Sequence, residues 1–374
     1  MLFKDKESAV LDIGSGNMTL MVATKTMGDY CRVTFEYSVP YEGIRNGEFV
    51  DDENAKSTIK KLFQRLREKH GRLKKLYVGI PAEFSICRVV NTKIDQIKHK
   101  KVEKVDIDTL VSSGNPFVND SEKVLISADP IYFNIDNDDE KYIDVLGKPT
   151  NGLNAHISYI ASEKIVYDFL KQTLKENGIS DIVFLSSPKS EILGLFNTST
   201  RDVGAVLVDT GYRSTSLIIC CSDGIEYLFT FSVGRYNIID WISKGLDITF
   251  EEGKNLIEKV DLSFNPTDET YSINSNGFLK TFSCKEVKDM TVECIKIICT
   301  YITKCFDLIQ DTRVKNKDLY LTGSGLDFHG IESCMANCIG KPIMKVYPNL
   351  EVNYKKSMYS RIMGLVNSAI KSNN

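Results

Sequence analysis

An α/β fold made of two related halves is what this sequence predicts, and three turns predict it. Two of them open on an aspartate at the end of an apolar strand: Val10-Leu-Asp12-Ile-Gly14-Ser-Gly16 and, far along the chain, Val206-Leu-Val-Asp209-Thr-Gly211. The third, Leu321-Thr-Gly323-Ser-Gly325, again follows a short apolar strand and opens toward a helix. Glycine lacks the Cβ that would hold a ligand off the backbone, so successive N–H groups can face phosphate oxygens. A carboxylate at the strand end can meanwhile hold a hydrated divalent cation. One such turn is compatible with an ordinary hairpin. Three in this order predict a nucleotide clamped between two lobes, with Asp12 and Asp209 facing each other across a shared crevice and residues 323–325 as its roof.

The remaining elements follow in chain order. Residues 18–24 are apolar enough to return as the second arm of a hairpin. Residues 54–70 place Ile59, Leu62, Phe63 and Leu66 on one helical face, and Gly71 is a natural stop. Residues 76–80 read as a buried strand. From about 84 to 158 the rhythm changes: strand-like runs at 85–90 and 124–126 are separated by a charged stretch at 98–104 and an acidic one at 136–141, the pattern of an inserted, mostly β/α subdomain. A helix returns over 162–177, lining up Ile165, Phe169, Leu170 and Leu174 before Gly178. Residues 285–310 carry Val287, Met290, Cys294, Ile298, Tyr301, Ile302, Cys305 and Ile309 at helical spacing, which reads as a core helix. A last helix near 357–370 presents Met358, Ile362, Leu365, Val366 and Ile370. The domains expected are therefore 1–83, the N-terminal part of the first lobe with the first phosphate loop; 84–158, the inserted subdomain; and 159–200, a return to the first lobe. Residues 201–340 form the second lobe, with the second loop and the nucleoside turn, and 341–374 a strand and helix that close the first lobe.

Composition bounds the setting. The 374 residues, 42% of them hydrophobic, suffice for two or more compact units. No apolar run approaches the roughly 20 residues of a membrane-crossing helix, and the charged opening does not resemble a secretory signal. The ten cysteines include no Cys-x-x-Cys pair, as expected of reduced thiols in a cytoplasmic protein; Cys220, Cys294, Cys299 and Cys305 sit in apolar patterns that suit core packing. The four histidines, His70, His99, His156 and His329, show no metal-ligand spacing. A formal net charge of −3 gives nucleic acid no role as a main partner.

The three turns, in this order, resemble those of the actin, sugar-kinase and chaperone ATP-binding superfamily. Finer features are similar to the FtsA family of bacterial cell-division proteins: Gly43-Ile-Arg-Asn-Gly47-Glu-Phe-Val-Asp51, Val78-Gly-Ile-Pro81, and Asp144-Val-Leu-Gly147-Lys-Pro-Thr-Asn-Gly152-Leu153. The resemblance covers residues 9–369. It implies a two-lobed actin-like (ribonuclease H-like) α/β fold with an inserted α+β subdomain, ATP and Mg²⁺ between the lobes, self-association into filaments, and a tether from the FtsZ ring to the inner face of the membrane. By position, the nucleotide would be held by Asp12, Gly14, Ser15, Gly16 and Asn17, by Asp209, Gly211, Tyr212, Ser214 and Thr215, and by Gly323, Ser324 and Gly325, with Asp12 and Asp209 reaching the metal through water.

Departures from the family pattern define the expected function further. Asn17 is neutral where many FtsA proteins carry a small or basic residue, Tyr212 is bulky where close approach is wanted, and Arg213 can either contact phosphate or point to solvent. Gly234-Arg235 replaces a Gly-Gly, and Trp241 falls about where an aspartate belongs. Gly253-Lys254-Asn-Leu-Ile257 replaces Ala-Glu-x-x-Lys, whose Glu and Lys hold ribose and adenine. A neutral hydrogen bond contributes roughly 0.5–1.5 kcal/mol and a charged one about 1.5–3, so losing two or three weakens binding a few hundredfold or more. Weak ATP binding with little or no hydrolysis is the expectation. At the FtsZ-tail helix, Cys294 and Ile297 stand where the family has Arg-x-x-Glu, so the partner is FtsZ or another division or envelope protein. The chain ends before the family's linker and amphipathic helix, which predicts no direct membrane contact and recruitment to the inner membrane face through a partner. A PilM-like, nucleotide-independent peptide-binding scaffold is the alternative. A small-molecule kinase, with Asp209 as its sole candidate base, is a distant third.

Overall fold

Strand β1 (Glu7–Ile13) is buried at every residue after the first, and β2 (Asn17–Lys25) at all but its ends, because both faces of their sheet are covered. The computed structural model describes residues 7–373 apart from 27, 29, 96, 98–100, 137, 276 and 277. Two compact units divide the chain: Met1–Ala205 with Ile218–Phe229 and Tyr347–Asn374, and Val206–Leu217 with Thr230–Val346.

In the first unit β1 and β2 form an antiparallel hairpin in which Asp12 lies opposite Thr19. β3 (Cys31–Pro40) extends it as a half-exposed edge, an alternation not assigned from the sequence. β4 (Ile44–Arg45) and β5 (Glu48–Phe49) are joined by Asn46 and Gly47, both left-handed at φ = +53° and +79°. The Gly-Ile-Arg-Asn-Gly segment is thus a hairpin whose Asn-Gly supplies a type I′ turn. Helix α1 (Asp52–Lys69) is capped by the Asp51 carboxylate, which accepts the Asn54 N–H at 3.0 Å. It buries Ile59, Leu62, Phe63 and Leu66 as its spacing predicts, and Gly71 ends it at φ = +114°. β6 (Lys75–Ile80) returns parallel to β1.

The inserted segment is β7 (Ser85–Ile94), α2 (Lys104–Ser113), β8 (Lys123–Ile135) and β9 (Leu153–Glu163), an antiparallel sheet in the order β7-β9-β8 around its own core of Leu110, Phe133, Val145 and Tyr159. Of the charged stretch 98–104, residues 98–100 lie outside the described residues, and Val102 is buried. Helix α3 (Lys164–Glu176) starts later than expected because Ser162 is still paired with β7. Its core face is Val166, Leu170, Thr173 and Leu174, while Ile165 is 79% exposed. β10 (Asp181–Ser186), parallel to β6, completes the sheet order β10-β6-β1-β2-β3; α4 (Ser187–Leu195) and α5 (Thr198–Val203) follow.

The chain then repeats the scheme. β11 (Ala205–Thr210), β12 (Thr215–Cys221) and β13 (Gly224–Phe231) precede helices α6 (Arg235–Gly245) and α7 (Phe250–Ile257). The hairpin β14 (Thr270–Ser275) and β15 (Phe278–Ser283) leads into the long α8 (Cys284–Leu308), and the short α9 (Thr312–Lys315) comes next. β16 (Leu319–Thr322), α10 (Ile331–Ile339) and β17 (Ile343–Lys345) then give the sheet order β13-β12-β11-β16-β17, with β16 parallel to both β11 and β17. Counted from each sheet's own first strand, both orders are 3-2-1-4-5: the two halves are built alike.

Helix α8 is a core helix, but its stripe is rotated from the expected one. Val287, Thr291, Cys294, Ile295, Ile298, Ile302 and Phe306 are buried, whereas Tyr301 is 40% exposed and stacks on Phe231 at 5.0 Å. The last helix, α11 (Ser360–Asn373), covers the first unit's sheet on the face opposite α1 and α3: Val10, Met21 and Tyr77 pack on Ile362, Leu365 and Val366, while Leu11, Ile13 and Leu20 point to the other core. Met358 lies ahead of α11 and is exposed. Each large apolar side chain so buried contributes roughly 1.5–3 kcal/mol.

All ten cysteines are free. Burial pushes the Cys31 and Cys87 thiols up to about 11, so neither carries an appreciable reactive thiolate near neutral pH. Among the described residues no helix is long and apolar enough to cross a membrane.

Candidate nucleotide site

The two aspartate turns share one internal closure. In the first, the Gly14 N–H donates to the Asn17 carbonyl at 2.9 Å; in the second, the Gly211 N–H donates to the Ser214 carbonyl at 2.7 Å. Each turn closes a hairpin whose first strand ends in a carboxylate that is 9% exposed, Asp12 or Asp209.

Around the first turn, the Tyr41 hydroxyl donates to the Gly14 carbonyl at 2.7 Å and the Tyr41 N–H to the Gly16 carbonyl at 3.2 Å, so β3's far end braces the loop. Ser15 is buried. The Asn17 amide donates to Ser38 Oγ at 2.8 Å, which ties this side chain to β3. Asp12 itself meets a cation: Arg361 Nη2, from α11, lies 3.3 Å from Asp12 Oδ2. A Cβ on Gly14 would stand 2.8 Å from that same nitrogen, so the glycine here admits the guanidinium.

The second unit brings the second and third turns together. Thr210 Oγ1 donates to the Thr322 carbonyl at 3.2 Å, and the Gly325 N–H donates to the Thr210 carbonyl at 2.7 Å. Gly323 is left-handed at φ = +92°, and a Cβ on it would fall 2.2 Å from the Thr210 carbonyl and 2.4 Å from Asp209 Oδ1. A Cβ on Gly234 would lie 2.6 Å from the Gly211 carbonyl. The first N–H groups of α6 belong to this packing too, Arg235 donating to Gly211 at 3.2 Å and Tyr236 to Tyr212 at 2.7 Å. These glycines are required by backbone packed on backbone, and of the third turn only Ser324 is exposed. Ser214 and Thr215 are buried, the Thr215 hydroxyl donating to Val233 at 2.8 Å.

With this geometry in view, the chain can be compared with known proteins. No family model matches it. Over 373 residues it is 20% identical to the cell division protein FtsA of Bacillus subtilis (strain 168), covering 97% of this chain and 83% of that one. The solved PilM-PilN type IV pilus biogenesis complex superposes with a TM-score of 0.68 at 13% identity, over 98% of this chain and 99% of that one. MreB5 of Spiroplasma citri bound to AMPPNP gives 0.59 at 14% identity, over 99% and 98%. The chain is FtsA-like, and its fold is actin-like.

In this FtsA-like chain the departures have structural partners. Arg213 stacks: its guanidinium carbon is 4.2 Å from the Tyr236 ring centroid and 5.9 Å from that of Tyr212, and the two tyrosines meet edge to face at 5.8 Å. Burial pushes the Tyr212 hydroxyl up and holds the Arg235 guanidinium below its usual value; Arg235 lies 5.5 Å over Phe328. A Cβ on Gly253 would fall 2.1 Å from Ser243 Oγ, Lys254 pairs with Glu251 at 3.6 Å, and Ile257 is 1% exposed in the core. The position that holds adenine by a lysine in FtsA is therefore an interior side chain here. Trp241 is 51% exposed. On α8, Cys294 is buried at 6% and Ile297 is 50% exposed, so the first of the two expected FtsZ-tail positions faces the core.

Asp261, Ser263 and His329 also meet in the second unit, but Asp261 and Ser263 both approach Nδ1, at 3.0 and 2.9 Å, so no nucleophile–base relay forms. Arg361 is the one functional side chain that the sequence reading missed. Its signal is a cation four residues before Leu365, on the apolar stripe of a helix, where charge is rarely left without a reason.

Proposed function

We propose that this chain is an adaptor of the cell-division or envelope-assembly machinery that uses an actin-like fold chiefly as a binding platform, with ATP bound weakly and hydrolysed little or not at all. The observation that carries the reading is the pairing of a whole-length likeness to FtsA with the loss of the nucleoside contacts, Ile257 being core and Lys254 turned to Glu251. Phosphoryl groups would meet the turns at Asp12–Asn17, Asp209–Thr215 and Gly323–Gly325 in the arrangement expected from the sequence, with 84–158 as an inserted subdomain available to partners. FtsZ or a related assembly protein is the partner class, membrane recruitment runs through that partner, and the chain self-associates. Calorimetric titration with ATP and Mg²⁺ should give a Kd weaker than about 1 μM, the loss of two or three contacts corresponding to a few hundredfold. Submicromolar binding would remove the weak-site reading.

A second reading, a peptide-binding scaffold akin to PilM, is favoured by one feature of the first unit. A cleft of about 560 Å³ runs beside the β4–β5 hairpin, floored by Phe49, Phe84 and Phe169 and walled by Ile165, with Glu48 and Glu83 on its lining. Phe49 sits 4.9 Å from Phe84 and 5.2 Å from Phe169, ring to ring, an apolar floor with acidic groups that suits a short segment with apolar and basic side chains. Affinity capture from native cytoplasm, with FtsZ tail peptide as competitor, separates the two. FtsZ displaced by the peptide supports the adaptor reading. An inner-membrane assembly protein that Ile165→Asp fails to capture supports the scaffold.

A further inference from the structure

A divalent cation on Asp12 does not fit the residues that surround it. One oxygen of this buried carboxylate, Oδ2, already accepts from Arg361 Nη2 at 3.3 Å, and both side chains are largely enclosed, at 12% and 19% exposure. The other, Oδ1, is buried and has no hydrogen-bond partner among the described residues. The guanidinium also lies against the loop itself, since a Cβ on Gly14 would come within 2.8 Å of Nη2. Arg361 is not a swinging surface side chain: α11 is pinned to the sheet through Ile362, Leu365 and Val366 and to α4 at Gly364, where an added Cβ would lie 2.4 Å from the Ser190 carbonyl. A hydrated Mg²⁺ at Asp12 would put two positive charges beside a third in a poorly screened site, and arginine cannot shed its proton to relieve that.

We infer that Arg361 stands in for the divalent cation at Asp12, so that the first turn receives a phosphoryl group with a resident guanidinium as its counter-charge. This rests on the nucleotide reading above for its ligand, though not for its Arg361–Asp12 contact. The planar guanidinium has several N–H donors; one on Asp12 holds it in register, and the group's charge and geometry match a phosphate oxygen brought to the loop amides. It also supplies, from 349 residues along the chain, the charge that Asn17 does not. The ligand class is a phosphoryl group, as in a nucleoside triphosphate or free pyrophosphate.

The test has two arms on the full chain. Mn²⁺ titration followed by electron paramagnetic resonance should find no site in the native protein that Asp12→Asn removes. Arg361→Gln should create one at least tenfold tighter, lost again when Asp12→Asn is added, and Arg361→Lys, which keeps the charge, should behave as the native chain. Circular dichroism checks that each variant is folded. In the second arm, calorimetry with ATP and with pyrophosphate should show less than a threefold change between EDTA and Mg²⁺ for the native chain, and a loss of tenfold or more in EDTA for Arg361→Gln. A native Mn²⁺ site abolished by Asp12→Asn, or a folded Arg361→Gln that gains none, overturns the proposal. If neither phosphate compound binds any form, the nucleotide reading falls and the phosphoryl half of this one with it, while the Mn²⁺ gain alone still upholds Arg361 as the cation's replacement.

Discussion

Gly323→Ala should destabilise the second unit by about 3–5 kcal/mol, enough to remove much of the stability of an ordinary domain. Two costs add. A side chain held left-handed, at φ = +92°, carries roughly 1–2 kcal/mol of strain. The new Cβ must in addition clear the Thr210 carbonyl, 2.2 Å away, and Asp209 Oδ1, 2.4 Å away. Neither is the free end of a flexible side chain: Thr210 is fixed by its hydroxyl on Thr322 and its carbonyl on Gly325, so the backbone must shift, a cost of roughly 1–3 kcal/mol. Gly340→Ala is the matched control. It is left-handed at φ = +76° with nothing within 4 Å of the added atom, so only the strain of roughly 1–2 kcal/mol applies. Urea unfolding of the two variants reads the difference directly. Equal losses would mean that the second and third turns do not pack as described, and the second unit's share of the proposed site would go with them.

The same glycines show what was and was not legible in the sequence. Gly14, Gly211, Gly323 and Gly325 were visible because an apolar strand ending in a bare backbone turn is a local pattern. The cause assigned to them, close approach of a phosphate, is only one of the things a missing Cβ permits. In this fold, Gly323 and Gly325 admit the backbone of the second turn and Gly14 admits the Arg361 guanidinium, and no local pattern distinguishes these uses. Helix faces were legible to the extent that burial follows the apolar period. α1 obeys it at all four expected positions, while on α3 the neighbouring Val166 takes the core place and Ile165 is left outside. β3 was passed over although Cys31, Phe35 and Val39 are its buried residues, because an edge strand with one exposed face carries a weak signal between polar neighbours. Arg361 was out of reach for a different reason. Its meaning depends on Asp12, at the other end of the chain, and that contact exists only once α11 is laid across β1 and β2.

That placement is set by a helix crossing, which makes Gly364→Val the second large prediction. Helices α4 and α11 approach so closely that a Cβ on Gly194 would lie 2.8 Å from the Gly364 Cα, and one on Gly364 would lie 2.4 Å from the Ser190 carbonyl and 2.7 Å from the Glu191 Cα. Ser190 is buried and Glu191 entirely so, and the opposing atoms are helix backbone, which cannot rotate away. Valine adds two branches beyond the clashing Cβ, so α11 must move outward, at a cost of about 3 kcal/mol or more. Gly364→Ala should be milder, because an alanine in place of glycine recovers roughly 1 kcal/mol of helix propensity. The displacement also acts on the site. Arg361 lies one helical turn before Gly364, so a tilt that opens the crossing draws the guanidinium from Asp12 and frees the carboxylate for a metal. The valine variant should therefore melt well below the native chain and, where still folded, bind Mn²⁺ as Arg361→Gln does. A valine variant that melts within a degree or two of the native protein would show that the crossing is looser than these distances require, and Arg361 would then lack the rigid support on which its role as a resident cation depends.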